Sequence, residues 1–285
     1  MLAAAGCWSQ IFGSNYYYCA ILRGVGSYSC WGYLPYNMPQ GLTGIQMAAG
    51  GTTICAVMSP GGTVQCWGES TEGQLNVPAG LAGVTYIDVS SGNTVCTVHG
   101  GGQITCWGNN DRYNRATPPY TLPPSKAVAG GTTFSCALAV AGTVTCWGYN
   151  SPTLTPPSGL AGVTAISVGC YHACALTGSG SVVCWGSDTQ GQLNVPAGLT
   201  GVVALSTGCY QTCVLTGSGS VLCWGTGPTA QQLQLPEGQQ AIQLSTSLAY
   251  DTSGFTVSNG TIVTPGTIPK YQPITAFPPA PTCPP

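Results

Sequence analysis

One segment recurs six times along the chain: two cysteines separated by nine or ten residues, with Trp-Gly after the second. Its clearest copies are CALTGSGSVVCWG at 174–186 and CVLTGSGSVLCWG at 213–225. The second cysteine falls at positions 30, 66, 106, 146, 184 and 223, so the period is 36 to 40 residues. Self-similarity at such a period indicates an array of equivalent structural units, and it constrains the fold more than any local motif.

Each unit is predicted to be a set of β-strands. Apolar and polar residues alternate, β-branched residues cluster near the cysteines, and Gly or Pro interrupts the pattern about every 8 to 12 residues. The turn Gly178-Ser179-Gly180 lies midway between two cysteines, so a hairpin there places Cys174 opposite Cys184. Cross-strand neighbours without hydrogen bonds have Cα atoms about 4.5–5.5 Å apart, within reach of a disulfide. A repeat of about four short strands with Gly and Trp at fixed offsets is typical of a β-propeller blade.

The same construction predicts six disulfide rungs. The pairs are Cys19–Cys30, Cys55–Cys66, Cys96–Cys106, Cys136–Cys146, Cys174–Cys184 and Cys213–Cys223. Metal ligation is the alternative, but zinc sites use spacings of two to four residues with a second pair nearby.

Four cysteines lie outside these rungs. Cys170 and Cys209 hold the same position in neighbouring units, so we expect a bridge between them. The remaining two, Cys7 and Cys283, would tie the C-terminal tail over the seam where the ring closes. An intermolecular bond from Cys283 is the alternative.

A seventh unit without cysteines extends over 241–266, where Asn259-Gly260 predicts a two-residue hairpin turn. We therefore expect an all-β fold, a seven-bladed β-propeller with disulfide-stapled blades over residues 1–267 and a Pro-rich C-terminal tail at 268–285. The predicted blades span 2–42, 43–81, 82–125, 126–160, 161–199, 200–238 and 239–267.

Charge is scarce, and this excludes several partners. Lys, Arg, Asp and Glu make up 4% of residues, against about 25% in ordinary soluble domains. Five basic residues cannot build the phosphate-neutralising surface that nucleic acid requires, so neither nucleic acid nor an anionic membrane is an expected partner. No apolar run reaches 18 residues, so no membrane span is predicted.

The sixteen cysteines predict an oxidising compartment, and hence a secreted, extracellular or cell-surface location. No signal peptide is recognisable at the N-terminus. We therefore expect that an export signal was removed or lies outside this sequence.

The order inner strand, Gly, C-A-L-T, G-x-V, C-W-G and G-Q-L, found at 169–193 and in related form at 50–75, resembles the repeat of the regulator of chromosome condensation family. The resemblance extends over residues 2–266 and implies a seven-bladed propeller. The cysteine-paired variant is similar to the extracellular repeats of Crinkly-type plant receptor kinases and to secreted repeat proteins of microbes and algae. The founding member is a nuclear nucleotide-exchange factor for a small GTPase, an activity that the cysteine rungs and low charge argue against here.

Residues suited to catalysis are few and scattered. His99 is expected in a hairpin turn, and His172 holds a position that other residue types hold in the other units. Glu69 and Glu72 are expected in an exposed loop, and no GxSxG, HExxH or P-loop motif occurs. Carboxylates from different blades could still converge at a channel mouth, which leaves glycosidase chemistry open. We expect no enzymatic activity, no cofactor and no metal.

The aromatic residues fall into two groups. Those of the Trp-Gly series are predicted to pack between blades: Trp31, Trp67, Trp107, Trp147, Trp185 and Trp224. Those suited to stacking on a sugar ring are Trp8, Tyr16, Tyr17, Tyr18, Tyr171 and Tyr210.

Three segments that combine Pro with Ser or Thr, together with one sequon, predict glycosylation. The candidate residues are Asn259, Thr117, Thr121, Ser125, Thr153, Thr155 and Ser158. Glycans would supply the surface hydration that charged side chains do not.

The leading functional hypothesis is a non-catalytic extracellular structural or assembly protein, such as a glycosylated cell-surface, matrix or filament subunit, whose partner is another copy of itself or another extracellular protein. The alternative is a recognition module, such as a receptor ectodomain or lectin-like propeller, that binds a peptide, a protein or a glycan.

Overall fold

The structure is a computed structural model of the protein. The described residues are 8–13, 17–22, 28–32, 44–110, 113–149, 154–225, 231–232, 241–246, 253–257 and 262–263. Within the strands near both ends of the chain, few side chains are described.

The described strands form seven antiparallel sheets, each built from strands consecutive in the chain. The first three sheets comprise β1 (Trp8–Gly13), β2 (Tyr17–Leu22) and β3 (Tyr28–Gly32); β4 (Gly44–Gly50), β5 (Thr53–Met58) and β6 (Thr63–Gly68); and β7 (Tyr86–Val89), β8 (Thr94–His99) and β9 (Gln103–Gly108). The fourth and fifth comprise β10 (Ser125–Gly130), β11 (Phe134–Ala139) and β12 (Val144–Gly148), and β13 (Val163–Val168), β14 (His172–Thr177) and β15 (Val182–Gly186). The sixth and seventh comprise β16 (Val202–Thr207), β17 (Gln211–Thr216), β18 (Val221–Gly225) and β19 (Gln231–Gln232), and β20 (Ala241–Thr246), β21 (Ser253–Val257) and β22 (Ile262–Val263).

In the part of the chain that the structure describes, the sheet of β16 to β19 has four strands and each of the other six sheets has three. The sequence had predicted about four strands for each unit. In the fifth unit the connector 191–199 folds into turns instead, closed by hydrogen bonds from Asn194 N to Gly191 O and from Leu199 N to Pro196 O. Proline has no N–H to donate to a sheet ladder, so Pro196 disfavours a strand there. The prediction of a fourth strand is therefore wrong for this unit.

In the seventh sheet, Phe255 pairs with Val263 and Thr256 with Ile262 across the second and third strands. The predicted turn at Asn259-Gly260 lies outside the described residues, so it stays a prediction.

The glycine of the Trp-Gly series ends the third strand for a steric reason. Gly186 has φ +116°, and a Cβ there would lie 2.6 Å from the carbonyl oxygen of Tyr171. Side chains with a Cβ rarely adopt that backbone conformation, so glycine is required where the strand leaves the sheet.

A separate apolar core fills each described interface between consecutive sheets. Between the fourth and fifth sheets, for example, Phe134 and Leu138 pack with Val168, Ala175 and Trp185. Equivalent clusters join the other neighbouring sheets. The sheets are therefore held face to face, each burying one face against the next unit.

The tryptophans of the repeat belong to these interfaces, as predicted. Trp67, Trp107, Trp185 and Trp224 are buried, and the partly buried Trp147 packs against the core between the third and fourth sheets. The side chain of Trp31 lies outside the described part of the chain.

The ends of the array meet. Strand β1 of the first sheet contacts β20 and β21 of the seventh. The first sheet also lies against the second through β1 and β4. Within the residues that the structure describes, no helix is long and apolar enough to span a bilayer.

Candidate functional site

Each of the first six sheets carries a disulfide between its second and third strands. The Cα atoms of each pair are 4.0 to 4.1 Å apart. The bonds are Cys19–Cys30, Cys55–Cys66, Cys96–Cys106, Cys136–Cys146, Cys174–Cys184 and Cys213–Cys223. These are the pairs that the hairpin geometry led us to expect.

The register of the hairpin explains why these positions can be bonded. In the fifth sheet, Thr177 N donates to Ser181 O and Ser187 N donates to Tyr171 O. Hydrogen-bonded and non-hydrogen-bonded pairs alternate along an antiparallel ladder, so the pair Cys174–Cys184 is of the non-hydrogen-bonded kind. Side chains approach most closely at such pairs, which brings the two sulfur atoms together.

A further disulfide, Cys170–Cys209, joins the fifth and sixth sheets, with Cα atoms 4.4 Å apart. Both residues are buried, and each lies in the turn between the first and second strands of its sheet. This is the bridge expected from the equal positions of the two cysteines. Cys7 and Cys283 lie outside the described residues, so their pairing stays a prediction.

Two tyrosines follow these cysteines and project from the same turns. The rings of Tyr171 and Tyr210 have centroids 6.0 Å apart and are tilted by 37°. Their side chains are 40% and 37% exposed, respectively. The disulfide thus holds two partly exposed aromatic rings side by side. The side chains of Trp8, Tyr16, Tyr17 and Tyr18, the other aromatic candidates, lie outside the described residues.

The same turns touch one another in the other sheets. Ser91 and Thr132 share a hydrogen bond of 3.0 Å between their hydroxyls, and Thr133 Oγ1 donates to Cys170 O at 3.1 Å. We call the surface formed by the first-to-second-strand turns of the third to sixth sheets, 90–93, 131–133, 169–171 and 208–210, the turn face. It is a continuous series of side-chain contacts between consecutive sheets.

A half-buried carboxyl lies just beneath the turn face. Asp88 Oδ2 accepts a hydrogen bond of 2.8 Å from the backbone N–H of Gly130 in the next sheet. Burial raises the pKa of Asp88 to about 7, although the hydrogen bond from Gly130 acts in the opposite direction. Burial also raises the pKa of Tyr86, and the nearby Asp88 raises it further. The third and fourth sheets are therefore joined through an acid that is partly protonated near neutral pH.

Arg115 was missed by the sequence analysis. It lies in the connector after the third sheet, is 2% exposed, and donates from Nη1 to the carbonyl oxygen of Thr132 on the turn face. Its guanidinium lies 6.0 Å from the centre of the Tyr113 ring, and a Cβ on Gly92 would collide with it. The available signal was that Arg115 follows the third unit at the position where the connectors after the second and fifth units carry Gln74 and Gln192.

His172 is fully buried between the fifth and sixth sheets. Its Nε2 lies 2.9 Å from Thr212 Oγ1 of the next sheet. Burial lowers the pKa of His172 to about 4, although Asp188 and a backbone contact with Cys209 raise it in part. The neutral ring thus serves as an inter-sheet hydrogen-bonding group, in agreement with its interpretation as a repeat position.

His99 differs from expectation. It is the last residue of β8, paired with Gln103, and not a residue of the turn. Its Nε2 lies 2.8 Å from Thr105 Oγ1 on the neighbouring strand. Pairing therefore continues one residue further towards the turn than the sequence suggested.

Indole N–H groups link the third to sixth sheets each to the connector before it. Trp107 Nε1 donates to Gln74 O at 2.9 Å, and Trp224 Nε1 donates to Gln192 O at 3.0 Å. Trp147 bonds Arg115 O at 2.8 Å in the same way. The recurring tryptophan therefore anchors the connector as well as filling the core.

The candidate glycosylation residues differ in accessibility. Thr117, Thr121, Thr155 and Ser158 are exposed. Ser125 is 3% exposed and its hydroxyl donates to Pro123 O, so the prediction of a glycan there is wrong. Asn259 and Thr153 lie outside the described residues.

The acidic residues of the described chain are dispersed. Glu69, Glu72 and Asp188 are exposed in connectors, in keeping with the expected exposed loop for the two glutamates, whereas Asp88 lies between sheets. Among the described residues, no three His, Cys, Asp or Glu side chains come close enough to hold a metal ion.

The repeat has a match among known protein families. The family model described as "Regulator of chromosome condensation (RCC1) repeat" matches residues 163–192, which cover the fifth sheet and its connector. No curated protein matches the chain in sequence.

Several solved structures are similar in fold. The entire ectodomain of the Physcomitrella patens receptor kinase CR4 has a TM-score of 0.71 at 24% identity, covering 91% of this chain and 72% of that chain. The CRINKLY WD40 ectodomain of the Arabidopsis thaliana receptor kinase ACR4 has a TM-score of 0.65 at 21% identity, covering 80% and 84%. Yeast RCC1 (Prp20), solved with Kap60, has a TM-score of 0.62 at 16% identity, covering 78% and 69%.

Fold and site together define a class: an all-β repeat protein with a propeller-like fold whose sheets are stapled by disulfides. Its repeat is of the RCC1 type, in the cysteine-paired form that resembles the Crinkly-type ectodomains. The disulfides and these ectodomain neighbours support a secreted or extracellular location.

Proposed function

We propose that this chain is a non-catalytic extracellular assembly protein, a glycosylated subunit of a cell surface, matrix or filament, with its seven sheets closed into a seven-bladed ring. The contacts of β1 with β20 and β21 support closure of the ring. A closed ring leaves no unpaired sheet face at either end of the array, and this favours a rigid building block.

The observation that carries the proposal is how consecutive sheets are joined. Each described interface has its own apolar core, and the turn face adds hydroxyl contacts and the Cys170–Cys209 bond. The polar and titratable groups Asp88, Arg115 and His172 are used between sheets. Side chains that could perform chemistry therefore hold the body together, and this supports a structural role.

The low charge supports association between copies. With 5 basic and 7 acidic residues in 285, the surface repels a second copy only weakly. Large apolar side chains are also exposed on the described surface, including Tyr120, Val140, Tyr149 and Val203. Glycans at the exposed Thr121, Thr155 or Ser158 would keep such a surface hydrated.

Size-exclusion chromatography and negative-stain imaging of native, secreted material test the assembly proposal. We expect long polymers or closed oligomers with a fixed repeat. A monodisperse monomer at every concentration tested would contradict it. Intact mass before and after deglycosylation tests the glycan part separately.

One observation favours a second candidate function, recognition of a glycan or peptide at the turn face. Tyr171 and Tyr210 present two adjacent, partly exposed rings, and such a pair suits stacking against the apolar face of a sugar. We expect Tyr171→Ala and Tyr210→Ala to abolish binding in a glycan-array assay. Tyr120→Ala removes an exposed ring elsewhere and is the matched control.

A further inference from the structure

The outer edge of the fourth sheet is open. Strand β12 is the last strand of that sheet, and no described strand pairs with its outer side. Ala139 N donates to Thr143 O, and Tyr149 N donates to Thr133 O. These two bonds show which residue pairs of β11 and β12 are hydrogen-bonded and which are not. The backbone N–H and C=O groups of Val144, Cys146 and Gly148 therefore point away from β11.

The sixth sheet shows what this edge can bind. There Cys223, which corresponds to Cys146, pairs with Gln231 of β19, and Leu222 pairs with Gln232. The occupant is a short, extended, uncharged segment of the chain itself. The third strand of this repeat can thus accept an antiparallel neighbour on its outer side.

A groove follows the open edge of β12 along its whole length. It has a volume of about 540 Å³, and it lies between residues 143–149 on one side and the connector residues 154–157, 159 and 160 on the other. Trp147 and Tyr149 line one wall, and Pro156 and Pro157 line the other. No lining residue is charged, so an uncharged occupant matches the groove and a charged one would lose hydration without gaining a partner.

The connector beside this groove is one residue shorter than its counterpart in the fifth sheet. Gln192, whose carbonyl accepts the indole N–H of the next sheet, lies four residues before Pro196. The equivalent acceptor Leu154 lies three residues before Pro157, so the fourth sheet has one residue less of chain beside its outer strand.

We propose that the groove along β12 binds an extended, uncharged peptide segment of a partner protein, which adds to the fourth sheet as an antiparallel strand. Backbone hydrogen bonds to Val144, Cys146 and Gly148 supply affinity, and Trp147, Tyr149 and the prolines pack against its side chains. The inference deepens the proposed assembly function and rests on it, because it names the contact through which the body holds a partner.

The probe is a fluorescent peptide with the sequence of residues 229–235, TAQQLQL, which contains the segment that occupies the same edge in the sixth sheet. Fluorescence anisotropy with the full, oxidised chain measures its affinity. We expect saturable binding, and protection of the Cys146 and Gly148 amides from hydrogen exchange when the peptide is present. Absence of saturable binding and of protection would overturn the proposal.

The variant Val144→Pro removes an outward N–H and leaves the hydrogen bonds to β11 intact. We expect it to weaken peptide binding by about tenfold or more. Val182→Pro makes the same change at the equivalent position of β15, which does not line the groove, and it should leave the affinity unchanged. Equal affinity of the peptide for Val144→Pro and the unaltered chain would refute a strand-like mode.

Two modified peptides keep the test decisive if Val144→Pro does not fold. In one peptide, the backbone nitrogens of the residues that correspond to Gln231 and Gln232 are N-methylated. This removes two N–H donors of the peptide and should abolish binding to the unaltered chain. Replacement of both Gln residues by Glu should weaken binding, because the groove lining is uncharged. If both modified peptides bind as well as the parent, the proposal is wrong.

The outcome is separable from that of the assembly proposal. Polymers in native material together with no peptide binding would leave the assembly function standing and reject the β12 groove as its contact. Peptide binding by a protein that stays monomeric in its native form would reject the assembly function and leave the β12 groove standing as a peptide-binding site.

Discussion

The interface between the third and fourth sheets and the interface between the fifth and sixth use the same positions of the repeat with different chemistry. In the first, Ser91 and Thr132 meet through their hydroxyls; in the second, the disulfide Cys170–Cys209 occupies the corresponding place. Below these turns, Asp88 accepts from Gly130 N in the first interface, and Ser167 Oγ accepts from Thr207 N at 3.0 Å in the second.

The connector position shows the same contrast. The backbone carbonyls of Arg115 and Gln192 accept the indole N–H of the next sheet in the two interfaces. The side chain of Arg115 is a buried cation, whereas that of Gln192 is neutral. One interface is thus closed by buried charge and the other by a covalent bond, and the backbone geometry is the same in both. The repeat specifies where sheets must be joined and leaves the chemistry of the joint free.

The largest effect is expected from removal of the covalent joint. Replacing both Cys170 and Cys209 by Ser should lower the free energy of unfolding by about 4 kcal/mol, because the bond closes a loop with a sequence separation of 39. Denaturant unfolding measures this change. The double variant Ser91→Ala/Thr132→Val at the corresponding joint should cost about 1 kcal/mol. Similar losses in the two variants would show that the disulfide adds nothing beyond a hydrogen bond.

The next effect concerns the connector side chain. Arg115→Leu should lower the free energy of unfolding by about 2–3 kcal/mol, because a charge-assisted hydrogen bond to Thr132 O is lost. Gln192→Leu should lower it by only about 1 kcal/mol, since the side chain loses one neutral hydrogen bond, from Gln190 N to its Oε1, while its Nε2 makes none. Leu154 holds the equivalent position elsewhere in the chain, so leucine is compatible with the site. Thermal and denaturant unfolding measures the loss in both variants. Equal losses in the free energy of unfolding would show that the buried charge of Arg115 does not set its interface apart from that of Gln192.

The contributions of the two interfaces to the free energy of unfolding should also change with pH in opposite directions. The pKa of Asp88 is raised to about 7 in the folded protein, so its contribution is complete below about pH 4 and is lost as the pH rises to 7. The loss is on the order of 2 kcal/mol, after allowance for the partial exposure of the carboxyl. Asp88→Ser, which copies Ser167, should remove this slope. An unchanged pH profile of unfolding for that variant would show that Asp88 does not titrate in this window.

His172, in the interface between the fifth and sixth sheets, should give a pH dependence of unfolding with the opposite sign. Its pKa is lowered to about 4 in the folded protein, so its contribution is present above about pH 6.5 and is lost as the pH falls towards 4. His172→Gln, which copies Gln211 of the next sheet, should flatten the profile on that side. The two variants, followed by unfolding between pH 4 and 7, serve as controls for each other.

The smallest effect tests what the interfaces share. Trp147→Phe and Trp224→Phe each remove an indole donor to a connector carbonyl and keep most of the aromatic packing. Each should cost about 1 kcal/mol in the free energy of unfolding. A clear difference between the two losses would mean that the connector is anchored differently in the two places.

The sequence predicted the local structure of the repeat well because the contacts concerned are short in range. Cys174 and Cys184 are ten residues apart, and a central turn with alternating residues brings them together without reference to the rest of the chain. The predicted fourth strand failed where Pro196 and a neighbouring turn interrupt the connector. The prediction that Ser125 is accessible was wrong as well, because burial at the start of β10 depends on packing and not on the Pro-rich pattern around it.

By itself, the sequence determined that this chain is a periodic array of disulfide-bonded antiparallel hairpins with little charge, because hairpin pairing and cysteine position follow from residues near one another. Only the tertiary structure decided that Arg115 is buried against Thr132, that Asp88 meets Gly130 with a raised pKa, and that a groove opens beside β12. The two buried contacts join residues 17 and 42 positions apart, and the groove arises from the path of a connector. Desolvation and space are set by how one sheet packs on the next, a property that no single repeat carries.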